Sequence, residues 1–337
     1  MPTGFCLCGL FHPQHVFSNS AFPARSGSRP EQEKRLFISA PLRGTEGYLM
    51  PRLKLTIAYV GTAYNGWQTQ ARKNAAPLPT VQTFIENAVA HILGDRVHVH
   101  GAGRTDSGVH ADAQVAHLDI PDARASLNWQ QALNTLLPRD IRIVDAHLVP
   151  SSFHAQHDAV RKTYEYRLWL SRRYTPPKLY PFVWACGPVD VGRMDEASRY
   201  LLGRHDFASL KNAGTDLRTT VRTLLAVSRT PSGPLPPDCL ELAWIFEADG
   251  FLKQMVRNLM GLLVAVGQHR LEPSEILSIL ESRDRRSAPQ TAPACGLTMK
   301  RVWYAEDFAD SGDSLKKEYH NMAACHSATK PKNEETE

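Results

Sequence analysis

The chain has 337 residues, 42% of them hydrophobic and 22% charged, which is a globular composition long enough for about two domains with full cores. Its formal net charge of +5 is mildly basic and compatible with a polyanionic partner. No apolar run approaches the roughly 20 residues of a membrane span, and the six cysteines are scattered without a CxxC pair. A membrane-spanning helix and a disulfide framework are therefore not expected, and the chain reads as a soluble cytoplasmic protein. Cys6-x-Cys8 with His12 falls short of the four regularly spaced ligands of a structural zinc site.

Residues 1–50 hold scattered Pro, Gly and Ser with no helix or strand period and no apolar core of a secretion signal. They read as a disordered N-terminal extension, with Met50, just before the first convincing strand, as an alternative start. Arg52–Val60 is rich in apolar and β-branched residues and predicts a strand. Val81, Phe84, Ile85, Ala88, Val89 and Ile92 recur at helical spacing, with Thr80 as N-cap and Gly94 as the stop. Short strands are predicted at Val97–Gly101 and Gln114–Ile120. A helix capped by Ser126 then runs through Leu137 to Pro138, and a strand follows at Ile141–Val149.

The second half repeats this order of elements. Lys162–Leu170 is an aromatic strand and Val191–Leu202 a helix with Gly203 behind it. Strands at Val221–Thr230 and Cys239–Glu247 flank a Pro-rich turn. An apolar helix at Leu252–Val266, a shorter one at Pro273–Ser282 and a last strand at Thr298–Tyr304 complete the set. Each half reads β-α-β-β-α-β, which predicts an α+β fold of two ferredoxin-like units, residues 51–153 and 154–308, with mainly antiparallel sheets and a cleft between them. Residues 309–337 are polar, lack a period and read as a disordered tail.

The densest motif is Gly101–Ala111, GAGRTDSGVHA. It begins like a dinucleotide fingerprint, but its sixth residue is Asp106 and no helix pattern starts there, so that reading fails. It lacks the Lys-Ser/Thr ending of a phosphate-binding loop, and no zinc-deaminase signature occurs in the chain. Local composition leaves two readings. Asp106 either bonds its own Gly-bracketed turn, or stands as a lone reactive carboxylate where Gly103 and Gly108 let a ligand come close.

GAGRTDSGVHA resembles the catalytic signature of the tRNA pseudouridine synthase A family. Further blocks resemble that family in its order: YVGTAYNGWQTQ (59–70), TVQTFIE (80–86), ALNTLLPRDI (132–141), FHAQHDA (153–159), RKTYEYRLW (161–169), LLGRHDFASL (201–210), RTTVRTL (218–224) and MVRNLMG (255–261). The resemblance covers about residues 52 to 304. It implies an isomerase that turns uridine into pseudouridine at positions 38, 39 and 40 of the tRNA anticodon stem-loop, working as a homodimer without a cofactor or a metal. It implies Asp106 as the nucleophile or ribose-stabilising carboxylate. Tyr164 would stack on the target base and is a candidate to take the C5 proton. Arg257 would pair with Asp106, and Arg104 would hold the RNA.

The residues bear on these roles in their own right. Tyr164, Tyr166, Leu168 and Leu170 share one face of an alternating strand, a pattern that usually marks core. Arg257 interrupts a helix that is apolar over most of its circumference; one charge in such a helix is more often a surface stripe, whereas a buried Arg needs a carboxylate partner. Arg72 and Lys73 lie in a loop (69–79) longer than the family's usual one and are candidate RNA contacts. His110, Asp112 and His117 read as structural. The alternatives are a synthase for another RNA position and a non-catalytic RNA-binding protein, which would tolerate loss of Asp106.

Overall fold

The computed structural model describes residues 50–68, 78–212, 219–231 and 240–309. All of them belong to one compact unit that begins at Leu49. The expected extension and tail, the zinc-like cysteine pair, Arg72 and Lys73 lie outside the described residues, apart from Met50 and Ala309 at their inner edges.

The first half builds β1 (Arg52–Tyr59), α1 (Val81–Leu93), β2 (His100–Gly101), β3 (His110–Asp119), α2 (Trp129–Leu136) and β4 (Ile141–Val149). Helix α1 starts where the Thr80 hydroxyl accepts the Thr83 amide and stops at Gly94, whose φ of 78° takes the left-handed conformation. Two expectations change here. Strand β3 begins four residues earlier than predicted, so the glycine-rich motif feeds directly into it. The cap of α2 is Asn128 and not Ser126, because residues 122–124 first form a single 3₁₀ turn.

The second half builds β5 (Ala159–Trp169), β6 (Trp184–Ala185), α3 (Val191–Arg199), β7 (Gly203–Asp206), β8 (Val221–Thr230) and β9 (Glu241–Ala248). It ends with α4 (Met255–Gly267), α5 (Glu275–Ser282), β10 (Leu297–Tyr304) and the short α6 (Glu306–Ala309). The sequence did not announce β6, β7 or α6, each too short to carry a period. Helix α4 starts three residues later than predicted, after Gln254 takes a left-handed φ of 63°.

All ten strands join one sheet in the order β4-β1-β3-β10-β5-β9-β8-β7, with β2 beside β3 and β6 beside β5. The pairs β3–β10 and β5–β6 are parallel and the rest antiparallel, so the fold is α+β on a large, mostly antiparallel sheet. Last in sequence, β10 lies between the two halves. Its Met299 is opposite Ala111 of β3 on one side and Tyr164 of β5 on the other. One hydrophobic cluster draws on both halves, from Leu55 and Ile85 to Trp244 and Leu262. Twelve of the thirteen residues of α4 are buried and Arg257 is the exception, so the charge the sequence singled out sits where the helix meets the site.

Candidate active site

The Asp106 loop runs from β2 to β3 and is fixed by polar contacts on every side. The Trp67 amide donates to the Thr105 carbonyl (3.2 Å), and the Tyr64 carbonyl accepts both the Gly108 amide and the Ser107 hydroxyl. Tyr59 and Thr105 share a buried hydroxyl–hydroxyl bond of 2.8 Å. Gln114 Nε2 donates to the Gly103 carbonyl at 2.8 Å. The segment after β1, matched in sequence as YVGTAYNGW, is thus the cradle of this loop. Gly108 has φ +80°, a turn conformation that favours glycine. A Cβ on Gly103 would stand 3.1 Å from Lys162 Nζ, so that glycine first makes room for a lysine.

The Asp106 backbone carbonyl closes the turn by accepting the Val109 amide at 3.1 Å. Its carboxylate reaches across the sheet, and Arg257 Nη1 donates to Oδ2 at 3.2 Å. The two side chains are 18% and 15% exposed, which leaves the carboxylate partly open to the cleft. Arg257 is itself held, since its Nε donates to the Ala292 carbonyl at 2.8 Å and its own carbonyl accepts the Ala292 amide. The guanidinium is aimed at Asp106 by a loop 35 residues further along the chain.

Tyr164 follows two positions after Lys162 on β5, so both point to the same face. Tyr166 and Leu168 on that face are fully buried core, whereas Tyr164 stands where the core opens into the cleft. Phe251 packs against it edge-on at 5.1 Å. Burial, with smaller contributions from Tyr59 and the Asp106 charge, pushes the Tyr164 hydroxyl far above the usual phenol range, so it is uncharged.

Three cleft residues were not anticipated. Lys162 Nζ donates to the Ala102 carbonyl at 2.7 Å, and burial, aided by nearby Arg222, brings its ammonium down to about 8. Arg222 and Lys253 line the same cavity, and exposed Arg104 joins them. The cleft has a volume of about 1430 Å³ and, among the described residues, is lined by five Lys or Arg side chains (104, 162, 222, 253 and 257) against one carboxylate, that of Asp106. His110 and Asp112 are structural, as expected. His110 Nδ1 accepts the Gly61 amide and its Nε2 meets the Pro181 carbonyl, while Asp112 pairs with Lys300. Among the described residues no group of three or more His, Cys, Asp or Glu side chains could hold a metal, and no helix is long and apolar enough to cross a membrane.

A cationic cleft of this size with a single carboxylate on its floor defines an enzyme-like site for a polyanion. The family is specific: residues 55–158 and 197–305 match the model described as tRNA pseudouridine synthase, and the chain belongs to that family. It is 58% identical over 257 residues to "tRNA pseudouridine synthase A" of Lawsonia intracellularis, covering 76% of this chain and 100% of that one. The protein of the same name from Oleidesulfovibrio alaskensis is 55% identical over 273 residues, 77% of this chain and 98% of the relative. That of Methylacidiphilum infernorum is 41% identical over 260 residues, covering 75% and 96%.

Proposed function

We propose that this chain isomerises uridine to pseudouridine in tRNA, at positions 38, 39 and 40 of the anticodon stem-loop, with Asp106 as the reacting carboxylate. The observation that carries this reading is the single carboxylate of the cationic cleft, held by an arginine from the other half of the chain. The reaction breaks the ribose C1′–N1 bond and forms C1′–C5. The C5 proton leaves and N1 gains one, so substrate and product are isomers. That balance needs no redox partner, and the proposed catalyst works without a cofactor.

The residues divide the work. Asp106 traps or stabilises the ribosyl centre once N1 departs. Arg257 aims the carboxylate, and its bond to Ala292 keeps it from following the substrate. The target base must leave its stack to be reached, at a cost of a few kcal/mol, which stacking on Tyr164 offsets by about 1–3 kcal/mol. The uncharged Tyr164 hydroxyl suits stacking beside a neutral base better than proton abstraction. Arg104, Lys162, Arg222 and Lys253 meet the phosphates, and Arg72 and Lys73 extend that contact along the RNA.

Two ferredoxin-like units, 51–153 and 154–308, are the domain reading that the strand orders support. The first half runs β4-β1-β3-β2 and the second, with the short β6 and β7 set aside, β10-β5-β9-β8, each in the order fourth, first, third, second. A cytoplasmic homodimer, with each tRNA spanning both subunits, completes the proposal.

The test uses tRNA carrying tritium at uridine C5. Wild type releases label and Asp106→Asn does not, and the modified position is then mapped. Absence of release from every tRNA by wild type would refute the reading, as would equal release by Asp106→Asn.

A further inference from the structure

One wall of the cleft is made of histidine. His98 meets His100 edge-on at 4.5 Å, and His100 stacks on His117 at 5.0 Å with 18° between the planes. His117 meets His154 at 4.7 Å, and His154 meets His157 at 4.1 Å. The five rings come from the β2 approach, from β3 and from the 150–158 connection, so only the fold brings them together. His117 is buried and accepts the Ala155 amide at 3.2 Å, which gives it a structural task. The other four line the cavity that holds Asp106, and His98, His100 and His157 are exposed.

Core packing accounts for His117, and His154 Nδ1 accepts the Gln156 and His157 amides at 3.2 Å each, but these bonds leave the ring faces that line the cleft without a task. A metal site is a poor fit, since among the described residues no group of three or more His, Cys, Asp or Glu side chains could hold a metal ion. Burial and neighbouring imidazoles hold His100, His117 and His154 below the ordinary range, His117 at about 4. Arg52 adds to that effect, and Asp119 and Asp158 oppose it without cancelling it. Glu86 faces His98 at 2.8 Å. Four of the five cations that would attract phosphate lie at residues 162–257, whereas the wall lies between residues 98 and 157.

Planar aromatic rings beside a site that takes one base out of a strand are a stacking platform. Resting on the RNA-modifying reading above, we propose that the His98–His100–His154–His157 wall is a subsite for the bases of unpaired nucleotides flanking the target uridine. It holds the strand by base stacking, while the cations hold its phosphates.

The test is a cycle between protein and RNA. Binding is measured with Asp106→Asn protein, which holds substrate without turnover, and compared with the same protein carrying H98A, H100A and H157A together. The expected loss is at least tenfold in tRNA affinity, with an unchanged slope of log affinity against log salt. A stem-loop with abasic nucleotides flanking the target loses the same factor on the parent and no more on the triple variant. H100F with H157F retains binding, which separates stacking from misfolding. Parent-like affinity of the triple variant, a shallower salt slope, or an equal further loss on abasic RNA each overturns the proposal. Tritium release by the wild type is run in parallel. Its absence would defeat the synthase reading, whereas release with a failed cycle would defeat the subsite alone.

Discussion

Replacing Arg257 by Ala removes the one cation bonded to the Asp106 carboxylate, and the structure sets how much that should cost. The contact is a single charge-assisted hydrogen bond of 3.2 Å between side chains 15% and 18% exposed. Exposed ion pairs are worth about 0–1 kcal/mol, and breaking a fully buried one costs about 3–5 kcal/mol. This pair lies between those limits, so a loss of about 2–3 kcal/mol in transition-state stabilisation is expected, or roughly 30- to 160-fold in single-turnover rate. Helix α4 keeps its fold, because Ala is a strong helix former and the other twelve residues stay buried. The Arg257→Lys variant keeps the charge but not the Nε bond to Ala292, and should fall between wild type and Ala. The assay is tritium release at saturating enzyme, with thermal melting as the fold control. A rate within threefold of wild type for Arg257→Ala, at unchanged stability, would refute the positioning role.

Lys162→Met should raise the KM for tRNA about tenfold with a smaller change in kcat, and wild-type affinity should fall as pH rises through about 8, where the ammonium loses its proton. A pH-independent Kd from 7 to 9 would remove Lys162 from the RNA contact. Tyr164→Phe keeps the ring and should stay within about tenfold of wild type, while Tyr164→Ala loses the stack, about 1–3 kcal/mol, and more through the cavity it leaves. Equal losses in single-turnover rate would point to the hydroxyl instead. His117 has a depressed value in the fold, so the unfolded chain binds the extra proton. Stability is then full above about 6.5 and falls as pH drops towards about 4, by at most about 3 kcal/mol. Urea midpoints at pH 7, 5.5 and 4.5 measure that slope, which His117→Gln should flatten; an identical slope in both proteins would rule out His117 as its source.

Much of the sheet was legible because its strands alternate. The limits of β4 and β8 are those their residues predicted, and α1 announced both of its caps. Boundaries slipped where backbone geometry overrode composition, as at Gln254 before α4 and in the 3₁₀ turn before α2. Asp106 was readable from its motif, and Arg257 from being a charge inside an apolar helix. Lys162, Arg222 and the histidine wall carried no such mark. A lysine on a strand looks like surface until the fold brings it to the Ala102 carbonyl, and five of the seven histidines from position 98 to 157 look unrelated until their rings touch.

The place of β10 has a consequence for when the enzyme can become active. Asp106 precedes β3, Tyr164 lies in β5, and the sheet joins those two strands only through β10, whose Met299 spans both. Among the described residues β10 is also the final strand to be synthesised. A nascent chain still short of residue 297 holds Asp106 and Tyr164 on two sheet segments that no strand yet joins, so the cleft proposed as the active site is completed only with that strand.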